Sequence, residues 1–315
     1  MRAFLLTSIL AFAFNAGIAQ KITFYFKNNG KKVTERDSAD YMRTILPAEN
    51  DKYQIQEHYK NGGLKLEGYA TKYNPNLVLE GLIKRYYENG NKQEEAIYYK
   101  NQITGEANFY YRNGRLKEVI EYLPDNFPVK PNVKMISFYD STGVQKIING
   151  TGIYSGEEEN GTFISGKYLD GKKDSVWNGE NLKKGYSYQE NYNVGKFLSG
   201  IAQIDGEEIK YSSAEQMPEY PGGMTKFYEF VGRNYNYPAA AKSSGVSGRV
   251  ILSFIVERDG NISDIKILRD LGLGTGDEAV RVLERAKKWN PGRQHGVPVR
   301  VSYTLPIMLN LSVAR

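Results

Sequence analysis

The chain has no cysteine. That excludes a disulfide framework, a thiolate metal site and a cysteine-linked lipid. Among its 315 residues there are two histidines, His58 and His295, far apart in sequence. A nucleophile–base pair of the usual kind is hard to build from such a stock, and no spacing fits a zinc site. Each histidine reads as a surface residue in a turn. The 11 prolines are scattered, with no proline-rich run to act as a spacer. "GLGTG" at Gly272 to Gly276 lacks the Lys-Ser/Thr that a phosphate loop needs, so it reads as a loop between strand and helix. No catalytic residue, metal ligand or cofactor is expected. The chain reads as a binding protein rather than an enzyme.

A membrane-spanning run is also short of length. Ala3 to Ile18 is 16 residues and includes Asn15, against the roughly 20 that a spanning helix needs. Arg2, the apolar run from Ala3 to Phe14 and the small residues Gly17-Ile18-Ala19 form the pattern of a signal peptide. Residues 1–19 are expected to be removed, leaving Gln20 first. The other reading is an uncleaved anchor. Either way the protein is expected in the periplasm or cell envelope.

Charge is unevenly placed. The formal net charge is +6. Residues 217–315 hold 14 Lys and Arg against nine Asp and Glu, while residues 20–216 hold 27 of each sign. The excess beyond Arg2 lies entirely in the C-terminal third. No nucleic-acid-binding motif accompanies it. A partner with an acidic segment is the sharper reading, and solubility the plainer one.

What the chain has in quantity is tyrosine, 25 in all, of which 18 lie between Tyr53 and Tyr211. Pairs fall at 86/87, 98/99 and 110/111, a step of 12. Tyr87-Glu88-Asn89-Gly90 and Tyr111-Arg112-Asn113-Gly114 are turns, and Asn-Gly suits a tight hairpin in which both residues take positive φ. The segment between them is expected to turn at Lys100 to Gly105. The pattern predicts an all-β antiparallel repeat meander over 53–211, after a lead-in at 20–52. The tyrosine rings are expected to cover the sheet face with their hydroxyls in water. These segments resemble MORN-like repeats of the antitoxin type.

After Pro221-Gly222-Gly223 the pattern changes. Phe227, Phe230 and Val231 have helical spacing, and a short Ala-rich turn follows Tyr237-Pro238. Val250, Leu252, Phe254 and Val256 alternate as a strand. Asp259-Gly260 turns the chain back through Ile262, Ile265 and Ile267. Asp277 is placed to cap a helix with the apolar face Ala279, Val280, Leu283, Ala286 and Trp289. "VPVRVSYTLPIMLNL" then reads as a last strand, although Pro306 sits inside it. A proline is tolerated in a sheet mainly at an edge or a bulge. The order is α-α-β-β-α-β, an α+β domain with a small antiparallel sheet over 217–311.

This last third resembles the C-terminal domain of TonB, the energy transducer for outer-membrane transporters. The words that carry it are "YPAAAKSSGVSGRVILSFIVERDGNISDIKIL" and "DEAVRVLERAKKWNPGRQHGVPVRVSYTLPI". "PEYPGGM" before them resembles the version common in Bacteroidetes-type members. The resemblance implies that the last strand, Pro298 to Leu309, is a sheet edge on which the TonB box of a TonB-dependent outer-membrane transporter adds a strand. It implies Val299, Arg300, Val301, Ser302, Tyr303, Thr304 and Leu305 as the pairing stretch, with Tyr237 and Pro238 near the transporter. The lesser alternative is that Arg300 and Pro306 guard the edge against stray pairing. Inner-membrane motor proteins are implied only if the N-terminus stays as an anchor. The rival reading is a periplasmic or surface structural or interaction protein whose repeats bind glycan or protein and whose TonB-like domain dimerises through its edge, without energy transduction. The repeats stand where the family carries a proline-rich spacer.

Overall fold

The structure is a computed structural model that describes residues 21–49, 51–74, 76–124, 132–158 and 160–310. The expected signal segment, residues 1–19, lies outside the described residues. The chain divides into two compact units, one up to Thr151 and one from Gly152.

The first unit is a meander. Its strands are β1 (Ile22–Phe26), β2 (Lys32–Val33), β3 (Tyr41–Glu49), β4 (Lys52–Tyr59), β5 (Leu64–Lys72), β6 (Val78–Leu79), β7 (Gly81–Tyr86), β8 (Lys92–Tyr99), β9 (Gln102–Tyr110), β10 (Leu116–Tyr122), β11 (Val133–Tyr139) and β12 (Gln145–Ile148). Apart from the short β2 and β6, each strand from β3 pairs antiparallel with the next in the chain, and β1 pairs with β3. One apolar row crosses the sheet. Ile45 faces Ile55, Ile55 faces Gly68, and Ile83 faces Ala96, which faces Ala107. The isoleucines and alanines of this row are buried. Period-two alternation puts them on one face, which sets the register.

The hairpins use two kinds of turn. At Tyr87 to Asn91 the loop has three residues: Tyr87 N–H donates to the Asn91 carbonyl and Gly90 N–H to the Tyr87 carbonyl. Gly90 alone takes a positive φ, 84°. Asn89 instead accepts from Asn91 N–H through its side chain, at 3.1 Å. The Asn-Gly signal is thus a type I turn with a glycine bulge, not the two-residue turn expected from it. The same arrangement recurs at Tyr59–Gly63 and Tyr111–Arg115. The two-residue turn occurs where no glycine was needed, at Lys100–Asn101, with φ of 49° and 71°. It is shorter than the expected Lys100–Gly105 turn, because Gln102 already pairs with Tyr99.

Tyrosines tie one repeat to the next. The hydroxyls of Tyr59, Tyr87 and Tyr111 each donate to a main-chain carbonyl, those of Tyr86, Tyr110 and Tyr139, at 2.8 Å. These hydroxyls are therefore not left to water, which corrects the expectation for this subset. A phenol reaches about one strand spacing beyond its own ring, so the residue that opens one turn can close the next.

The second unit continues the motif with β13 (Thr151–Glu157), β14 (Phe163–Leu169), β15 (Lys172–Asn181), β16 (Tyr186–Asn193), β17 (Lys196–Ile204) and β18 (Glu207–Tyr211). Here three aromatics each lie over a glycine on the neighbouring strand. Gly166 faces Trp177, Gly179 faces Tyr188, and Gly200 faces Tyr211. A Cβ at Gly166 would stand 2.3 Å from Trp177 Cδ2, and one at Gly179 2.1 Å from Tyr188 Cζ. Glycine is required for this close approach rather than for its φ. The remaining elements are β19 (Glu215–Gln216), α1 (Gly223–Asn234), α2 (Ala239–Ser243), β20 (Gly248–Val256), β21 (Ile262–Arg269), α3 (Thr275–Glu284), β22 (Gly292–Gln294), β23 (Val297–Val299) and β24 (Val301–Leu309). The expected α-α-β-β-α-β order is present. A hairpin, β22–β23, is inserted before the last strand and pairs with β19.

Two details of α3 differ from expectation. Asp277 lies inside its first turn, and Gly274, with φ 82°, precedes the helix without a side-chain cap. Asp270 does the capping work from outside, accepting from Gly272 N–H, Gly276 N–H and the Thr275 hydroxyl. The helix also ends at Glu284, before Ala286 and Trp289. Replacing Gly166 by Ala should cost about 2 kcal/mol, because the methyl overpacks Trp177. Replacing Gly232, in α1 with nothing within 4 Å of its Cβ position, should stabilise by about 0.5–1 kcal/mol. Chemical denaturation of the two variants checks the contrast.

Candidate functional site: an open strand edge

The C-terminal core is built on β20. Val250, Leu252, Phe254 and Val256 are all buried, as the two-residue alternation predicts for one face of a strand. They meet Phe227 and Val231 of α1, Ala279, Val282 and Leu283 of α3, and Leu305, Ile307 and Leu309 of β24. Trp289 fills the centre, with its ring 5.3 Å from Phe254 and 5.9 Å from Tyr220.

Three strands form the sheet in the order β21-β20-β24, so β24 is an edge. Its pairing with β20 runs through nine consecutive pairs, from Gly248↔Leu309 to Val256↔Val301, without a shift. Along β24 the side chains of Ser302, Thr304, Pro306 and Met308 are exposed, while Leu305, Ile307 and Leu309 are buried. Pro306 lies opposite Ile251, and its carbonyl accepts from the Tyr228 hydroxyl at 3.2 Å. The main chain at Pro306 therefore faces away from β20. In an antiparallel ladder the N–H and C=O of every second residue face the same side. Ser302 and Thr304 thus present theirs outward as well. The proline falls where no ladder bond to β20 is needed, so the strand is not interrupted.

The other edge is different. β21 pairs with β20 through two register shifts, and Asp264 within it is in the left-handed region at φ 51°. Such bulges twist an edge away from further pairing.

The residues singled out in the sequence are distributed as follows. Val299 belongs to β23, opposite Gly292, not to the last strand. Arg300 links the two strands. Its guanidinium pairs with Glu257 at 2.8 Å and reaches Asp264 at 3.5 Å. The expected strand from Pro298 is thus divided at Arg300, because Val297 to Val299 are drawn into the inserted hairpin. Val301, Tyr303 and Leu305 point toward the core, and Ser302 and Thr304 point out. The Tyr303 hydroxyl lies 3.9 Å from Met224 Sδ. Tyr237 and Pro238 stand on a separate segment between α1 and α2. Tyr237 donates to the Val246 carbonyl, and its ring meets Tyr235 edge-on at 5.9 Å. Pro238 precedes α2.

Sequence reasoning missed a second cluster. His295 is not a surface residue. It sits at the tip of the β22–β23 hairpin, and its ring stacks on Tyr188 of β16 at 4.1 Å with 2° between planes. Its Nδ1 is 2.7 Å from Oε1 of Glu190, which is completely buried. Tyr192 and Tyr211 also donate to Glu190, at 2.8 and 2.9 Å. His295 N–H donates to the Ala214 carbonyl at 2.7 Å, and Gly296 fits where a Cβ would meet Tyr211 at 2.7 Å. The hairpin tip is thereby pinned to the last repeat strands. The signal available was local: Tyr188-x-Glu190-x-Tyr192 puts a carboxylate between two rings on one strand face. Its partner lies 105 residues away.

Burial opposes ionisation of Glu190, yet the hydrogen bond and charge of His295 and the two phenols outweigh it and hold the carboxyl below its ordinary 4.5. A lowered folded value means stability that is present above the unfolded value and lost as pH falls through the folded one. Glu190→Gln should therefore cost about 2 kcal/mol at pH 7, and should flatten the acid side of the stability profile relative to the parent. Denaturant titrations between pH 7 and pH 3 measure both.

Residues 233–311 match the family model described as Gram-negative bacterial TonB protein C-terminal. The match takes in α2, α3 and β20 through β24, and begins only at the end of α1. No curated protein matches the chain.

Proposed function

We propose that the C-terminal domain is a TonB-like docking module of the cell envelope. It takes the TonB-box segment of a TonB-dependent outer-membrane transporter as an added strand on β24, in support of transmembrane transport. The observation that carries this reading is the unbroken, outward-facing main chain at Ser302 and Thr304. Main-chain hydrogen bonds supply affinity in such docking, and alternate side chains supply selectivity. Ser302 and Thr304 would face the incoming strand directly, while Val301, Tyr303 and Leu305 hold the edge against the core. Tyr237 and Pro238 come next to the transporter only through the family resemblance, since Tyr237 is engaged within the domain. The MORN-like meander takes the place of a spacer. Export with removal of residues 1–19 makes the protein a periplasmic adaptor, and retention of that segment makes it a transducer that engages a membrane motor.

Proline substitution separates docking from folding. Thr304→Pro removes an outward N–H and no bond to β20. It should weaken binding of synthetic peptides copied from transporter N-termini at least tenfold, with the melting temperature nearly unchanged. Tyr303→Pro removes an inward N–H and should lower the melting temperature outright. Wild-type protein that ignores every such peptide, while Thr304→Pro dissociates a dimer in light scattering, would replace docking by self-association through the edge.

A further inference from the structure

The open edge of β24 has a built-in gap. Ser302 and Thr304 each offer an N–H and a C=O to solvent. Pro306 offers neither, because it has no N–H and its carbonyl is occupied by Tyr228. A strand laid along the edge loses its main-chain partner at Pro306, and the next outward-facing residue is Met308, beyond the proline. Immediately beyond is a cleft of about 440 Å³, walled by Tyr228, Val231 and Gly232 of α1, Pro306 and Met308 of β24, and Arg249 of β20. Tyr228, Val231 and Gly232 precede residue 233, so this wall is supplied from outside the matched stretch.

The chemistry of the cleft is mixed in a particular way. Met308 is 53% exposed and Tyr228 43% exposed, so an apolar side chain entering there would cover surface that the fold leaves wet. The one charge is Arg249, which has no ion-pair partner among the described residues. A carboxylate arriving beside it displaces no existing acid. The surrounding third of the chain is basic, with 14 cationic against nine anionic residues, which favours an acidic visitor further.

We propose that this cleft is a second recognition element, which takes a large apolar side chain next to an acidic one from the part of the docked segment just past the paired stretch. The inference rests on the strand-docking reading above and adds a rule for the partner's sequence. Main-chain pairing with Ser302 and Thr304 sets the register, Pro306 and Tyr228 interrupt the ladder, and the cleft reads the side chains that follow.

The test uses the full chain and synthetic peptides with a six-residue Thr-Val core. The core is extended by Leu-Glu or by Leu-Lys, at one end or the other, and binding is followed by fluorescence anisotropy. At one end only, Leu-Glu should bind about three- to fivefold more tightly than Leu-Lys, the scale of a partly exposed ion pair. Arg249→Gln should abolish the preference and Arg249→Glu reverse it, while the bare core binds all three proteins alike. Equal binding of the Glu and Lys peptides at both ends, with the bare core still bound, overturns the cleft and leaves strand docking standing. Failure of every peptide, core included, removes both readings together. A concentration-dependent dimer that Arg249→Glu disrupts, without peptide binding, makes a second copy the occupant and overturns the proposal.

Discussion

The ladder between β20 and β24 is the interaction on which the C-terminal domain depends. Its inward-facing side chains bury against α1, α3 and Trp289, and burial of such side chains contributes about 1.5–3 kcal/mol each. Because a strand's side chains alternate, fixing Leu305, Ile307 and Leu309 inward leaves Ser302, Thr304, Pro306 and Met308 no choice but to face out. Main-chain direction follows the same parity. The packing of the core and the openness of the edge are thus one constraint seen from two sides. A one-residue slip would bury Pro306 and expose the leucines.

That constraint would be loose at its start without the hairpin β22–β23. Arg300 joins the hairpin to β24, and His295 at its tip is held by Glu190, Tyr188 and the Ala214 carbonyl. A buried carboxylate with three donors is costly to disturb, since removing one partner leaves the others unsatisfied. The last repeat strands therefore brace the segment from which the β24 edge begins. The repeats also prepare their side of this contact. Tyr188 lies flat over Gly179, and that placement presents its other face to the imidazole.

The meander reaches order through small, repeated devices rather than a large core. A buried row of Ile and Ala crosses the first unit, phenol-to-carbonyl bonds link successive turns, and glycine–aromatic pairs close the second unit. Each device joins neighbours only, as expected of a quasi-one-dimensional array.

Much was determined by the sequence alone, and the reason in each case is local. Two-residue alternation placed Val250 to Val256 on a buried strand face, the tyrosine and Asn-Gly spacing announced the meander, and Pro306 pointed to an edge. These signals depend on the chain's own geometry, which a few neighbouring residues specify. Other features were decided only in three dimensions. Asn89 was used for its side-chain oxygen rather than a positive φ, and Asp270 rather than Asp277 capped α3. Val299 was taken into a hairpin that its own alternation does not distinguish from β24. Tyr228 met Pro306 across 78 residues, and His295 met Glu190 across 105. Which distant group satisfies a buried donor or acceptor depends on how the elements pack, and no short stretch of the chain encodes that.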